Sequence, residues 1–180
     1  RLVNESWAKK GPSSLLISTL AVNKANVAYL DYFYRYKPGR SSYLKSNLLA
    51  KNMSDIDNTQ TFEALMVAAG APHGLGTNNR KFYYDPIYDY LEPIYYDGNV
   101  TFLDQPNGWR AHVDNKVSPG QVSGALLAKE KLVGLDIESF KRKLEAKGLL
   151  LAIDKLNNYF SILNKNLTEL SLTTEDSNLT

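Results

Sequence analysis

The stretch HGLGTNNRKFYYDPIYDYLEPIYYDGN, residues 73–99, decides how this chain folds. It joins a glycine-broken loop, two adjacent asparagines, two short aromatic runs about an Asp-Pro turn, and a closing aspartate. Six of the twelve tyrosines fall between positions 83 and 96. Aromatic residues suit the pleated, half-buried surface of a sheet. The spacing predicts strands over 80–84 and 91–96, with Asp85-Pro86 opening the turn between them. The connection is longer than a two-residue turn, which leaves the register open. Such a hairpin brings the Asn78–Asn79 loop near Asp97. Carboxylate and amide oxygens gathered at strand ends suit a hard cation such as Mg²⁺.

The flanks read as helical. Ser13 and Ser14 are N-cap candidates after Gly11-Pro12. Leu15, Leu16, Leu20, Val27, Leu30 and Phe33 then follow an approximate helical stripe up to Pro38-Gly39. A short helix is expected within 42–50. A further helix, capped by Asp57 or Thr59, runs to Gly70 through Phe62, Leu65, Met66 and Ala69. Gly70, Pro72 and Gly74 oppose its continuation. Residues 98–117 read as irregular, with a possible short strand over 100–103. Ser118-Pro119 starts a helix to about residue 132, with Pro119 at its first position. Asp136 starts another, which stops at Gly148. A last helix from 149 to about 163 turns Leu150, Ile153, Leu156, Tyr159, Phe160 and Leu163 inward. Residues 166–180 thin into a polar tail of the kind that frays. The fold class is α+β, helices before and after a small antiparallel sheet. Leu65, Phe82, Ile94, Leu144, Leu156 and Phe160 are expected to share one core.

Composition bounds the function. At 180 residues one domain is expected, long enough for a real core. An apolar fraction of 43% and a charged fraction of 22% are ordinary for a soluble globular protein. The net charge of +2 argues neither for nor against a nucleic-acid partner, but the sequence has no dense Lys/Arg patch, which argues against one. With no cysteine there is no disulfide, no thiol nucleophile and no cysteine-ligated metal. No apolar run reaches the ~18 residues of a membrane span. The sequence opens at Arg1 without a signal-peptide pattern, so a processed product or a fragment is expected. Asn-X-Ser/Thr sequons stand at Asn4, Asn52, Asn99, Asn166 and Asn178.

The ordered pieces of the central stretch resemble the core of spore coat protein H-type (CotH-like) kinases. These are atypical protein-kinase-like proteins found on bacterial surfaces and spores. The matching pieces are Asn78-Asn79, then Phe82-Tyr83-Tyr84-Asp85-Pro86, then Glu92-Pro93-Ile94-Tyr95-Tyr96-Asp97. The opening RLVNESW and the helix ending at Gly70 also suit that family, although the match is concentrated in residues 70–99. The resemblance implies a kinase-like large-lobe core over residues 1–165, followed by a polar tail over 166–180. It implies ATP and Mg²⁺ as cofactors and protein hydroxyls as phosphoacceptors. Asp97 matches the metal-binding aspartate that follows a hairpin. Asn78 lies five residues after His73, the spacing of Asp-x4-Asn in kinase catalytic loops. Asn78, or Asn79 if the alignment slips by one, would then be the second metal ligand, and His73 would stand where the catalytic aspartate is usual. A histidine can accept a proton but is a poor Mg²⁺ ligand. Nothing before residue 70 reads as a five-strand small lobe with its phosphate-contacting lysine. The resemblance therefore implies the C-terminal part of a longer, extracytoplasmic or surface-located bacterial protein, with a protein substrate or coat protein as partner.

The same residues have plain structural readings. His73 can be a surface loop residue. Asn78-Asn79 and Asp97-Gly98-Asn99 can simply supply turn conformations. Glu92 can pair with Arg80 across the strands. The tyrosines can form a half-buried sheet face. His112 and Asp114 make a His-x-Asp pattern with no third ligand, and Trp7 and Trp109 read as packing anchors. Three functions are compatible with the residues: a CotH-like kinase fragment, a non-catalytic surface or spore-coat relative, and a carbohydrate-binding module using the tyrosines as a platform. No Gly-x-Ser-x-Gly or His-Glu-x-x-His motif supports a hydrolase.

Overall fold

The computed structural model describes residues 4–35, 43–102 and 117–173. Its elements in chain order are α1 (Glu5–Ala8), α2 (Pro12–Arg35), α3 (Ser46–Leu49), α4 (Met53–Ala68), a 3-10 turn (Pro72–Leu75), β1 (Lys81–Asp85), β2 (Tyr90–Ile94), α5 (Pro119–Val133), α6 (Ile137–Ala146) and α7 (Leu150–Ser171). The α+β class and the antiparallel hairpin follow the sequence reading. The remaining 100–103 strand is not formed at residues 100–102, and Leu103, Trp109, His112 and Asp114 lie outside the described residues.

Local chemistry sets the helix ends. Asn52 caps α4 by accepting from the Asp55 amide at 2.9 Å, so the helix begins several residues before Asp57 or Thr59. At its other end Gly70 adopts φ +70°, and the Ala71 amide donates to the Met66 carbonyl at 2.8 Å. That six-to-one bond is a Schellman closure, and it needs a residue that tolerates the left-handed region. Ser118 and Gln121 form a reciprocal capping box on α5, with bonds of 3.1 and 3.0 Å. Asp136 caps α6 through the Ser139 amide at 2.9 Å.

Among the described residues the hydrophobic side chains form two clusters rather than one core. The first lies between α4, α5 and α7 and contains Ala64, Val67, Ala68, Ala125, Ala128, Leu167 and Leu170, with Leu65 packed beside it. The second lies between α2, α3 and the hairpin and contains Ala28, Leu44, Leu49 and Leu91, with Phe82 and Tyr84 beside it. Phe82 and Leu65 therefore belong to different clusters. Ile94 is exposed, because β2 turns Leu91 inward and Ile94 lies near the strand's exposed end. Leu144, Leu156 and Phe160 are only half-buried.

Small residues make the first cluster possible. Gly124, Ala125 and Ala128 let α5 approach α4 closely, and a Cβ at Gly124 would collide with the Gln60 carbonyl. α7 runs eight residues past its expected end near 163, to Ser171. Leu167 and Leu170 continue the inward stripe of Leu163, and the buried Asn166 amide donates to the Ala68 carbonyl at 2.8 Å. Residues 166–171 are thus core helix and not tail. The segment is polar in part because one of its residues, Asn166, serves the end of α4.

Two substitutions test this packing. Gly124→Ala should cost roughly 1–3 kcal/mol through overpacking. Leu167→Ala should cost about 2–5 kcal/mol through cavity formation. Urea denaturation midpoints check both, and a Gly124→Ala protein as stable as wild type would contradict the close approach of α4 and α5.

Candidate functional site

The loop between α4 and β1 is anchored by ion pairing. Arg80 donates from Nη2 to Glu63 Oε1 at 2.7 Å and from Nε to the Leu75 carbonyl at 2.9 Å. The two side chains are 8% and 4% exposed, so this pair is buried. Glu63 comes from the middle of α4. Arg80 therefore does not pair with Glu92, which instead stands opposite Tyr83 in the sheet. The Tyr29 hydroxyl, from α2, adds a bond to the Thr77 carbonyl at 3.3 Å.

Glycine allows the loop to meet the strand that returns from the hairpin. An ideal Cβ on Gly74 would lie 3.1 Å from both the Gly98 Cα and the Tyr96 carbonyl. A Cβ on Gly98 would strike the Tyr95 ring and the Met66 methyl. This close approach places His73, on the 3-10 turn, beside Asp97, which adopts φ +47° at the hairpin's exit. His73 Nε2 lies 3.5 Å from Asp97 Oδ2. It also lies 2.7 Å from Asn79 Nδ2, which in turn donates to the His73 carbonyl at 3.3 Å.

These contacts suit one tautomer of the neutral ring. With the Asn79 amide nitrogen donating twice, the neutral His73 ring accepts at Nε2 and carries its proton on Nδ1. That lone pair is taken by Asn79, so Nε2 has no proton to give the Asp97 carboxylate 3.5 Å away. The site is open: the His73 and Asp97 side chains are 63% and 58% exposed. Asn78 is exposed beside them and makes no hydrogen bond with the described residues. The structure thus gathers His73, Asn79 and Asp97, and leaves Asn78 pointing to solvent at the rim.

As a cation site the donor set is thin. Mg²⁺ takes one or two carboxylates and completes its shell with water and phosphate oxygens. Asp97 and the Asn79 amide oxygen match that chemistry, and His73 does not. Among the described residues no group of three or more His, Cys, Asp or Glu side chains comes together. A cavity of about 210 Å³ lies elsewhere, between Tyr43, Lys45, Gln60, Glu63, Ser118 and Gly120. It shares Glu63 with the ion pair and none of the four predicted site residues.

A second polar centre, at Asp89, was not singled out by the sequence. Asp89 adopts φ +49° and closes the hairpin turn, which the Asp85 carboxylate opens by accepting from the Ile87 and Tyr88 amides at 2.8 and 3.3 Å. Asp89 accepts from the Tyr84 hydroxyl at 2.9 Å and pairs with Lys24 at 3.2 Å and Lys51 at 2.6 Å. It thereby ties the hairpin tip to α2 and to the loop before α4. Burial pushes its carboxyl up, but the hydrogen bonds from Lys51, Tyr84 and Lys24 outweigh this and hold it below the usual carboxylate range. Burial first, and then the bond to Asp89, push the Tyr84 phenol up to about 12.

No known protein family, curated protein or solved structure matches the chain.

The Asp89 centre gives a pH-dependent expectation. Its folded-state pKa lies below that of the unfolded chain, so its stabilisation is complete above about pH 4 and is lost as pH falls through the folded value. Asp89→Asn should lower the urea midpoint at pH 7. The gap to wild type should close in acid. A gap independent of pH would show that the charge of Asp89 contributes nothing.

Proposed function

We propose that the chain is the large-lobe part of a CotH-like atypical kinase, acting on protein hydroxyls with ATP and Mg²⁺. The observation that supports this most is the convergence of His73, Asn79 and Asp97 on one edge of the hairpin, in the order the resemblance implies. Asp97 would hold the cation, with the Asn79 oxygen as a second donor. The cation would neutralise phosphate charge during transfer. Asn79 holds His73 through Nε2, and an incoming hydroxyl that displaces the Asn79 amide there would pass its proton to the ring. The Glu63–Arg80 pair holds the loop that carries both.

A second reading also has support. The exposed, shallow site and the His73 ring standing at Asp97 favour a non-catalytic surface or coat protein that kept the fold and lost transfer. Nucleotide affinity of the longer protein that this reading implies, measured with and without Mg²⁺, separates the two. Asp97→Asn should weaken Mg²⁺-dependent binding by about tenfold or more. His73→Ala should spare binding and reduce phosphate transfer by about 10²–10⁴-fold. Binding without transfer would leave the second reading. No Mg²⁺-dependent binding, or binding untouched by Asp97→Asn, would overturn the kinase proposal.

A further inference from the structure

The longest described helix buries the wrong face for its sequence. α2 turns Ser14, Ser18, Ala25 and Ala28 toward the rest of the chain. Its large apolar residues Leu16, Leu20, Val27, Leu30 and Tyr34 face solvent, with Leu30 68% and Tyr34 90% exposed. The two sets are offset by two residues, which is about 200° around a helix. An amphipathic helix normally buries its large apolar stripe. Here the described residues cover the small side chains and leave the stripe exposed.

The spacing of the exposed face specifies what covers it. Leu16, Leu20, Asn23, Val27, Leu30 and Tyr34 are separated by 4, 3, 4, 3 and 4 residues. That is the alternation of a left-handed coiled-coil seam, which a partner helix fills with knobs in holes. Together with Leu15 and Phe33, the exposed apolar side chains offer on the order of 800 Å², about what one partner brings to a standard interface.

Charge selects the partner. The flanking positions of a seam usually carry the charges that choose among partners. On α2 those charges are engaged inside the chain: Lys24 with Asp89, and Asp31 with Arg35 and Lys45. The seam is therefore neutral, and nothing in it repels an identical seam or demands a complementary one. The single polar seam residue, Asn23, meets its own copy in a parallel pairing, where two amides can bond to each other. An antiparallel pairing that keeps the other apolar contacts would set Asn23 against Val27. We propose that α2 is a homodimer interface, two copies pairing in parallel about a two-fold axis along the Leu16–Tyr34 seam.

Analytical ultracentrifugation of the purified chain tests this. Wild type should sediment as a dimer at about 100 μM, and Leu20→Glu and Leu30→Glu should each raise the dimer Kd by about tenfold or more. Both residues are exposed, so the helical circular dichroism and the urea midpoint of the dilute monomer should not change. Leu151→Glu, at another residue that is 80% exposed, should leave the dimer intact. Asn23→Cys introduces the only thiol in a cysteine-free chain and should yield a disulfide-linked dimer on oxidation. A monomeric wild type would overturn the proposal. So would a dimer that survives both α2 charges or is broken equally by Leu151→Glu. A dimer that Asn23→Cys does not cross-link would overturn the parallel pairing.

Discussion

The buried pair between Glu63 and Arg80 is the constraint on which the arrangement depends. Glu63 stands on α4, the helix that packs on α5 and α7 through one face. Arg80 immediately precedes β1 and also holds the Leu75 carbonyl. One guanidinium therefore sets where the loop leaves the helix layer and where the hairpin begins. A buried carboxylate without its partner is an uncompensated charge in a poorly polarisable setting, far costlier than an exposed one. The pair does not by itself make the fold stable. It makes other placements of the loop unfavourable, and His73 and Asn79 are both on that loop.

Around this pair the molecule solves two packing problems differently. Between α4, α5 and α7 it uses alanine and glycine, so the backbones come close and the leucines of α7 close the cluster. Between α2, α3 and the hairpin it uses Leu44, Leu49 and Leu91 against the small face of α2, and locks the contact with polar bonds at its edges. The Thr59–Tyr90 hydroxyl contact at 3.2 Å joins the two halves. Asp89 and Asp31 do the same work at the periphery, where partial exposure and salt weaken each ion pair. α2 is thus held mainly by contacts at residues such as Lys24, Ala28, Tyr29 and Asp31, and its large apolar side chains are left for another surface.

Much of this was readable from local chemistry. Ser118, Pro119 and Gln121 announce α5, Asp136 announces α6, and the aromatic runs about Asp85-Pro86 announce the hairpin. Those signals act within four residues, so no tertiary knowledge is needed. The partner of Arg80 was not readable, because Glu92 and Glu63 are both plausible carboxylates and only the register and the loop path choose between them. The facing of α2 was not readable either. Periodicity identifies an apolar stripe but not whether the chain itself or another molecule covers it. At the candidate site the sequence named the residues, and the structure chose Asn79 over Asn78 as the one that reaches His73, a choice that rests on one residue of loop geometry.

A double-mutant cycle on Glu63 and Arg80, read from urea denaturation, addresses the central constraint most directly. Glu63→Leu and Arg80→Met should each cost about 3–5 kcal/mol, since each leaves a buried charge unpaired. The double variant should be more stable than the sum of the two losses by at least about 2 kcal/mol. Losses that add to within about 0.5 kcal/mol would contradict the account, because the two groups would then not be coupled.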